Sequence, residues 1–310
     1  MTVTMRQLQY FVVCAELGTM SAAAQELHVS QSAISLGVAQ LEARLEVDLL
    51  VRNHARRLQL TPAGRELLVE ARQLLSDMNE MIDRTRAQSR TASGRLTVGC
   101  YQTLGPMLLP PVVEGFEAAR PDVELHVREG GAADLCEALT SGELETAMLY
   151  DLDVIDGVTS FPLTTVRPYV LLSPNHPLAA HETLSVAQLQ HEDMILYNPP
   201  GDYYLGLLKE HNAAPRVRYR FDNYETVRSF AARGLGYTLL HQRQSIEASY
   251  EGRPLTVREL REDLPTLQVV LCVRQNARLT ARTRAFIEFT RAMFHTAHHT
   301  AADDQLSGGC

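Results

Sequence analysis

The residues best suited to contact another molecule lie together near the expected start of a helix: Gln31, Ser32, Ser35 and Leu36. Amide and hydroxyl groups donate and accept hydrogen bonds, and a glutamine can bind the edge of an adenine with two of them. The leucine either contacts a thymine methyl group or is an exposed side chain without a base contact. This set favours recognition of DNA over bond-making chemistry.

The surrounding segments predict the helices that position this set. An apolar face ending at Gly18 predicts a first helix, and Ser21 to His28 predicts a second, with small alanines that allow close packing. Val29 and Ser30 break the chain before a third helix from Gln31 to about Leu45. This order predicts a helix-turn-helix whose third helix enters the major groove of DNA.

A β-hairpin wing is predicted next, from strand-like segments at Leu49 to Arg52 and Arg57 to Leu60. Its arginines suit DNA phosphates or the minor groove, or else form a solvated basic loop: Arg52, Arg56 and Arg57. Residues 1–90 contain ten arginines and ten acidic residues, so the excess negative charge of the chain lies beyond them. The net charge of −8 therefore does not exclude DNA binding.

A long amphipathic helix is predicted from Pro62 to about Gln88, with Thr61 as its N-cap. Its apolar residues alternate at spacings of four and three: Leu67, Ala71, Leu74, Met78 and Met81. Such a stripe requires a partner helix, most simply that of a second subunit, and the alternative is a core helix within one domain. We assign residues 1–61 to the winged helix-turn-helix and 62–93 to a dimerisation helix and hinge.

Beyond the hinge, alternating strand and helix patterns predict an α/β domain of two lobes, residues 94–295. The first lobe is expected to hold about residues 94–163 and 267–295, and the second about 164–266. Residues 296–310 are expected to be a disordered tail.

Ligands of open α/β domains bind where strands end and helices begin. The candidate effector contacts follow the expected strand ends: Tyr101, Gln102, Thr103, Gly131, Ala132, Tyr150, Asn198, Pro199, Tyr203, Phe221 and Tyr224. For the aromatic residues among them, a ligand-lining role and ordinary packing are both open.

Other functions find little support in the sequence. It contains no GxSxG, glycine-rich phosphate loop or HExxH motif, so we expect neither an enzyme nor a cofactor or metal site. The cysteines lack CxxC spacing and are expected to be buried thiols. The chain shows neither a secretory signal nor a membrane span. We therefore expect a cytoplasmic protein rather than an exported solute-binding protein, whose two-lobed architecture it shares.

Several segments together carry a family resemblance: Leu8–Phe11, Ser21–Leu27, Val29–Ser35, Leu41 and Glu42, Arg52, and Leu60–Gly64. Through them the sequence resembles the LysR-type transcriptional regulators along nearly its whole length. The resemblance implies a winged helix-turn-helix, a dimerising linker helix and an effector domain like that of periplasmic binding proteins. It also implies a homodimer or homotetramer that binds a dyad-symmetric site on double-stranded DNA, a small-molecule effector and contact with RNA polymerase.

The departures from the family pattern concern both binding functions. Leu36 and Gly37 alter the recognition helix, and Glu46 and Leu50 replace a usual Gly and Phe, so base preferences do not carry over from relatives. By resemblance, Thr103 matches a position where relatives bind effector carboxylates. Ala132 and Tyr150 replace a Thr or Ser and an Arg of relatives, which predicts a less charged or more apolar effector. Peroxide-sensing relatives use a cysteine pair in the second lobe, where this chain has none, which disfavours thiol switching.

Overall fold

Three helices open the chain in the computed structural model, which describes residues 3–51, 58–86, 92–199 and 202–307. They are α1 (Met5–Leu17), α2 (Met20–Glu26) and α3 (Gln31–Leu45). The hydroxyl of Thr4 caps α1 by accepting the N–H of Gln7, and Gly18 ends it with a φ of 70°, as its position predicts. The third helix has the predicted bounds, whereas α2 ends two residues earlier than expected.

The helices pack closely because α3 has no side chain at Gly37. A Cβ there would lie 2.5 Å from Cδ2 of Tyr10 on α1. The glycine that departs from the family pattern at this position therefore serves packing in the core. Its neighbour Leu36 points outward and is 60% exposed. The carboxylate of Glu42 accepts the N–H groups of Leu49 and Leu50 at 2.9 and 3.1 Å and so fixes the chain that leaves α3.

The described base of the wing is the antiparallel pair β1 (Leu50–Val51) and β2 (Gln59–Leu60). The predicted wing contacts Arg52, Arg56 and Arg57 lie outside the described residues. Helix α4 (Pro62–Arg86) follows. The hydroxyl of Thr61 accepts the N–H of Gly64 at 2.9 Å, which confirms the predicted start of α4.

The apolar stripe of α4 divides into two parts. Leu67 and the buried Ala71 pack against the core of the helix-turn-helix within the same chain. Farther along, Leu74 is 48% and Met81 55% exposed, and Met78 is half-buried. The alternative of packing within one domain therefore applies to Leu67 and Ala71. The later residues of the stripe are exposed or half-buried.

A different face of α4 docks on the first lobe through polar contacts. Arg72 donates to the carboxylate of Glu16 on α1 at 3.0 Å and to the carbonyl of Ser141 at 2.9 Å. Arg274 donates to Oε1 of Gln73 at 3.0 Å. Sequence periodicity had pointed only to the apolar stripe, yet this polar face joins the helix-turn-helix to the sensor.

The first lobe is a five-stranded sheet in the order β4-β3-β5-β13-β6, flanked by helices. Its elements are β3 (Gly94–Tyr101), α5 (Gly105–Ala119), β4 (Val123–Gly130), α6 (Ala132–Thr140), β5 (Thr146–Tyr150), β6 (Val158–Val166), β13 (Leu267–Arg274) and α10 (Ala281–Ser307). The strand β3 runs parallel to β4 and β5, whereas β13 is antiparallel to β5 and β6.

The second lobe has its own sheet and hydrophobic core. Its elements are β7 (Tyr169–Leu172), β8 (Thr183–Leu184), α7 (Val186–Leu189), β9 (Asp193–Tyr197), α8 (Tyr203–Glu210), β10 (Arg216–Phe221), α9 (Tyr224–Ala232), β11 (Thr238–Leu240) and β12 (Thr256–Leu260). The strands β11-β7-β12-β8 form one sheet, and the parallel pair β9 and β10 joins it through a bridge between Met194 and Tyr237.

Two boundaries differ from the predicted ones. The strand β6 pairs with β13 as far as Val166, so the first lobe extends past the expected border at residue 163. The last helix, expected to end at His295 before a disordered tail, extends to Ser307. No Gly or Pro occurs between residues 281 and 307, so nothing in the sequence breaks that helix earlier. None of the described helices is long and apolar enough to cross a membrane.

The end of α3 tests the cost of a left-handed backbone. Glu46 caps the helix with a φ of 56°, a conformation that costs a residue with a Cβ about 1 kcal/mol and that glycine adopts freely. We expect Glu46→Gly to raise the free energy of unfolding of the helix-turn-helix by up to about 1 kcal/mol, seen as a higher midpoint in calorimetry of the full-length chain. Glu46→Ala removes the same charge but keeps the Cβ, and an equal gain from it would contradict this explanation.

Candidate DNA interface and effector cleft

The four residues of α3 that are predicted to contact DNA lie on its outer side. Gln31, Ser32 and Leu36 are exposed and Ser35 is half-buried. The hydroxyl of Ser21, at the start of α2, donates to Oε1 of Gln31 at 3.2 Å and orients that amide. These side chains surround the helix N-terminus, whose free N–H groups suit a phosphate.

The wing base is tied to the first helix. The N–H of Leu58 donates to the carbonyl of Gly18 at 2.8 Å. This bond places the chain that returns from the wing beside the end of α1.

The lobes meet at the edge where strands end and helices begin. The strands β3 and β5 end at Tyr101 and Tyr150, β9 ends at Tyr197, and α8 and α9 begin at Tyr203 and Tyr224. We define the tyrosine cluster as the phenol side chains at this edge: Tyr101, Tyr150, Tyr169, Tyr197, Tyr203, Tyr204 and Tyr224. The rule that ligand sites lie at the carboxyl ends of strands therefore points to a surface built mainly from phenols.

The cluster joins the two lobes by direct contacts. The amide of Gln102 donates to the hydroxyl of Tyr197 at 3.4 Å, and the hydroxyl of Tyr101 also hydrogen-bonds to it. Tyr203 packs against the hydrophobic cores of both lobes. Opening the cleft therefore requires breaking phenol contacts.

Within each lobe the rings pack edge to face. The ring centroids of Tyr101 and Tyr150 are 5.6 Å apart, and those of Tyr197 and Tyr224 are 5.8 Å apart. The hydroxyls of Tyr169 and Tyr224 lie 3.3 Å from each other. Edge-to-face pairs leave part of each ring face free of its neighbour.

Burial keeps these groups uncharged. It raises the pKa of the Tyr203 hydroxyl to about 12, with a further contribution from Asp151, and it raises the pKa of the other cluster hydroxyls as well. Burial also lowers the pKa of His241 to about 4, and its Nδ1 lies 3.2 Å from the hydroxyl of Tyr204. The imidazole behind the cluster is therefore neutral at physiological pH.

One carboxyl group lies beside the cluster. Asp153 is in the 3-10 turn Asp151–Asp153 that follows β5. Burial, followed by the repulsion of Asp151, raises its pKa to about 6. The turn follows directly on Tyr150, the last residue of β5, and the charge of Asp153 contributes to the raised pKa values of Tyr101, Tyr150 and Tyr197.

Most of the effector candidates lie at this edge. Tyr101, Tyr150, Tyr203 and Tyr224 belong to the cluster, and Gln102 connects the lobes. The hydroxyl of Thr103 is 3.5 Å from that of Tyr150.

The remaining candidates lie around it or elsewhere. Gly131 caps α6 and Ala132 begins it, both half-buried. Asn198 donates to Asp222 at 3.0 Å beside the half-buried Pro199. The ring of Phe221 packs against that of Phe230 on α9, with centroids 4.5 Å apart, and its predicted contact with an effector stays a prediction.

Sequence reasoning missed several residues of the edge: Tyr169, Tyr197, Tyr204, His241 and Asp153. The same strand-end rule would have found Tyr197 and His241, which end or follow parallel strands. Tyr169 begins an antiparallel strand, so only the pairing of β7 with β11 brings it to this edge. Tyr204 faces the cleft from the second position of α8.

The described cysteines are buried, which bears on redox sensing. Burial raises the pKa of Cys14 to about 11 and those of Cys100 and Cys272 to about 12, and it raises that of Cys136 as well. Since the thiolate is the reactive form, these side chains are unreactive at neutral pH. In the part of the chain that the structure describes, no group of three His, Cys, Asp or Glu side chains is placed to hold a metal ion.

A cavity of about 770 Å³ separates α1 and α4 from the first lobe. Its arginines include Arg72 and Arg282, which join the domains by donating to the carbonyl of Ser141 and to the hydroxyl of Ser76, each at 2.9 Å. Both arginines are engaged in those bonds, so we interpret this cavity as the gap between docked domains.

The family comparisons agree with this architecture. Residues 5–65 match the model of the bacterial regulatory helix-turn-helix protein, lysR family, and residues 89–295 match the LysR substrate binding domain. The uncharacterized HTH-type transcriptional regulator YvbU of Bacillus subtilis is 27% identical over 94% of this chain and 99% of its own length. The DNA-binding transcriptional dual regulator OxyR of Escherichia coli is 30% identical over 76% of this chain and 78% of its own length.

A solved structure extends the likeness to three dimensions. HinK, a LysR family transcriptional regulator from Pseudomonas aeruginosa, is 30% identical, with a TM-score of 0.63 over 94% of this chain and 99% of that one. The chain belongs to the LysR family of transcriptional regulators, with a helix-turn-helix DNA-binding domain followed by an effector-binding domain.

Proposed function

We propose that the outer side of α3 reads base edges in the major groove through Gln31, Ser32, Ser35 and Leu36. The observation that carries this proposal is the exposure of Leu36 at 60% beside the exposed amide of Gln31, on a helix whose opposite side is buried. The wing residues Arg52, Arg56 and Arg57 would contact phosphates or the minor groove.

The operator is expected to have dyad symmetry because the chain is expected to act as a dimer. Leu74 and Met81 expose apolar area on α4 that a second α4 would cover. A homodimer presents two recognition helices, and two dimers form the homotetramer that we propose as the DNA-bound form. Half-sites should then lie about 10 base pairs apart, or a multiple of it.

The cleft between the lobes is the proposed effector site. A ligand that inserts into the tyrosine cluster must separate Gln102 from Tyr197, which changes the angle between the lobes. The first lobe holds α4 through Arg72 and Gln73, so the change reaches the DNA-binding domain. The ligand shifts the arrangement of the oligomer only as far as it binds one arrangement better. We propose that this shift alters promoter activity and contact with RNA polymerase in the cytoplasm.

Selection of binding sites from random DNA duplexes by the full-length protein tests the DNA proposal. We expect sites with dyad symmetry and half-sites of the stated spacing. On such a site, Gln31→Ala should cost about 1–3 kcal/mol of binding free energy by loss of its contacts to a base. Gln275→Ala, an exposed glutamine of the first lobe, is the control and should change nothing. Selected sites without symmetry would refute the proposed mode of binding.

Sedimentation of a linker variant tests the dimer. We expect the double substitution Leu74→Glu and Met81→Glu to shift the protein toward monomers, because two charges would be buried at the partner helix. Asn79→Glu adds charge on a different, exposed face of α4 and should leave the oligomer intact. An unchanged sedimentation coefficient in the double variant would place the subunit interface elsewhere.

Thiol labelling tests whether redox chemistry contributes. In a Cys310→Ser variant, the raised pKa values predict that maleimide labels the native protein at pH 8 about a hundredfold more slowly than the urea-unfolded chain. Labelling should accelerate only as the pH rises toward these values. Fast labelling of one native thiol at pH 8 would revive thiol sensing as a function.

A further inference from the structure

The charged groups around the cleft are mainly acidic among the residues that the structure describes. Asp151 and Asp153 lie on the first lobe, and Asp202 and Asp222 on the second. Three arginines of the second lobe are to be weighed against these acids: Arg220, Arg243 and Arg228. Arg220 is bonded to Asp202 at 2.8 Å. Arg243, whose charge opposes the burial that raises the pKa of Tyr169, is bonded to Glu247 at 2.8 Å.

The third of these arginines, Arg228, lies over the ring of Tyr224, 6.0 Å from its centroid. It is 1% exposed, and its guanidinium donates to the carbonyls of Ile246 and Ala248 at 3.2 and 2.9 Å and lies beside the carboxylate of Glu225. These bonds hold the loop that follows β11. Each of the three arginines is therefore already bonded within the protein and is not free to pair with an anion in the cleft.

Asp153 forms no ion pair with a described arginine, lysine or histidine. The influences on its carboxyl group are burial and the like charge of Asp151. A partly buried carboxylate without a counter-charge is costly, and a cation is the partner that would remove this cost.

Buried oxygen atoms beside the cluster also lack hydrogen-bond donors. The hydroxyl of Tyr203 and Oε1 of Gln242 are buried without a partner. Gln242 is 7% exposed, and its main-chain carbonyl accepts the hydroxyl of Tyr169 at 2.7 Å and that of Tyr224, which places the residue at the cluster. Both oxygens can accept a hydrogen bond, so the cluster offers acceptors in need of donors.

We propose that the effector is a small organic cation, a protonated amine whose ammonium group lies against the phenol rings of the tyrosine cluster and pairs with the carboxylate of Asp153. This inference rests on the proposed role of the cleft as the effector site. An ammonium group carries three donors and no acceptor, and aromatic ring faces attract cations. An anion would meet the repulsion of Asp151 and Asp153 without a free arginine to offset it.

Three probes of one shape and different charge separate these possibilities: phenethylamine, 2-phenylethanol and phenylacetate. Each is titrated into the full-length protein at pH 7.5, with the thermal midpoint and the heat of binding as readouts. We expect phenethylamine to raise the midpoint and to bind at least about tenfold more tightly than the neutral alcohol, as a charge-assisted hydrogen bond allows. Phenylacetate should bind more weakly than either.

Asp153→Asn tests the named carboxylate. It should weaken phenethylamine binding about tenfold or more and leave 2-phenylethanol binding unchanged. Asp156→Asn, an exposed acid in the same loop, is the matched control and should change neither affinity. Amine affinity should also be constant above pH 7 and fall as the pH drops through about 6, because the carboxyl group of Asp153 takes up its proton there.

The outcomes separate the proposal of a cationic effector from the proposed role of the cleft on which it rests. Tighter binding of phenylacetate than of phenethylamine, or an Asp153→Asn variant with unchanged amine affinity, would overturn the cationic effector and leave the effector cleft standing. Failure of all three probes to bind would also overturn it. Operator binding by the same preparation is measured in parallel, and its absence would count against the proposed regulator itself.

Discussion

Helix α4 has an apolar face and a polar face along its 25 residues, and other parts of the protein have to cover both. The arrangement of the domains follows from this constraint. Its apolar stripe is buried against the helix-turn-helix in the first turns and exposed at Leu74 and Met81. Its polar face is satisfied by Glu16, Ser141 and Arg274. Because these faces point in different directions, one helix can hold the DNA-binding domain and the first lobe at once and still expose Leu74 and Met81.

The cleft solves a related problem, since most of its buried phenols keep hydrogen bonds. Tyr169 and Tyr224 share the carbonyl of Gln242, and Tyr197 receives the amide of Gln102. Of these bonds only that of Gln102 to Tyr197 joins the two lobes, and such a bond is worth little more than one to water, so a ligand can replace it at small cost. A cleft closed by phenols is therefore poised to open without disturbing either hydrophobic core.

The predictability of each part depended on how local its causes are. The helix-turn-helix followed from signals within a few residues, such as Gly18 at a helix end and Thr61 before Pro62. The strand-end rule pointed to the edge where the lobes meet and to six residues that lie there. It did not foresee that the ring of Phe221 packs against Phe230 on α9. The contacts of Arg72 join residues more than fifty positions apart and have no periodicity, so the sequence held no signal for them.

Leu36 and Gly37 are neighbours on α3 with different roles, since one lies on the outer side of the helix and the other packs against α1. Any side chain at position 37 would displace the ring of Tyr10, whereas Leu36 is 60% exposed. Under the proposed mode of binding, substitutions at residues 31, 32 and 36 alter which bases are preferred with little loss of stability, while those at 37 cannot. As such a regulator diverges, its operator preference is free to evolve at the outer positions while the fold beneath them stays fixed.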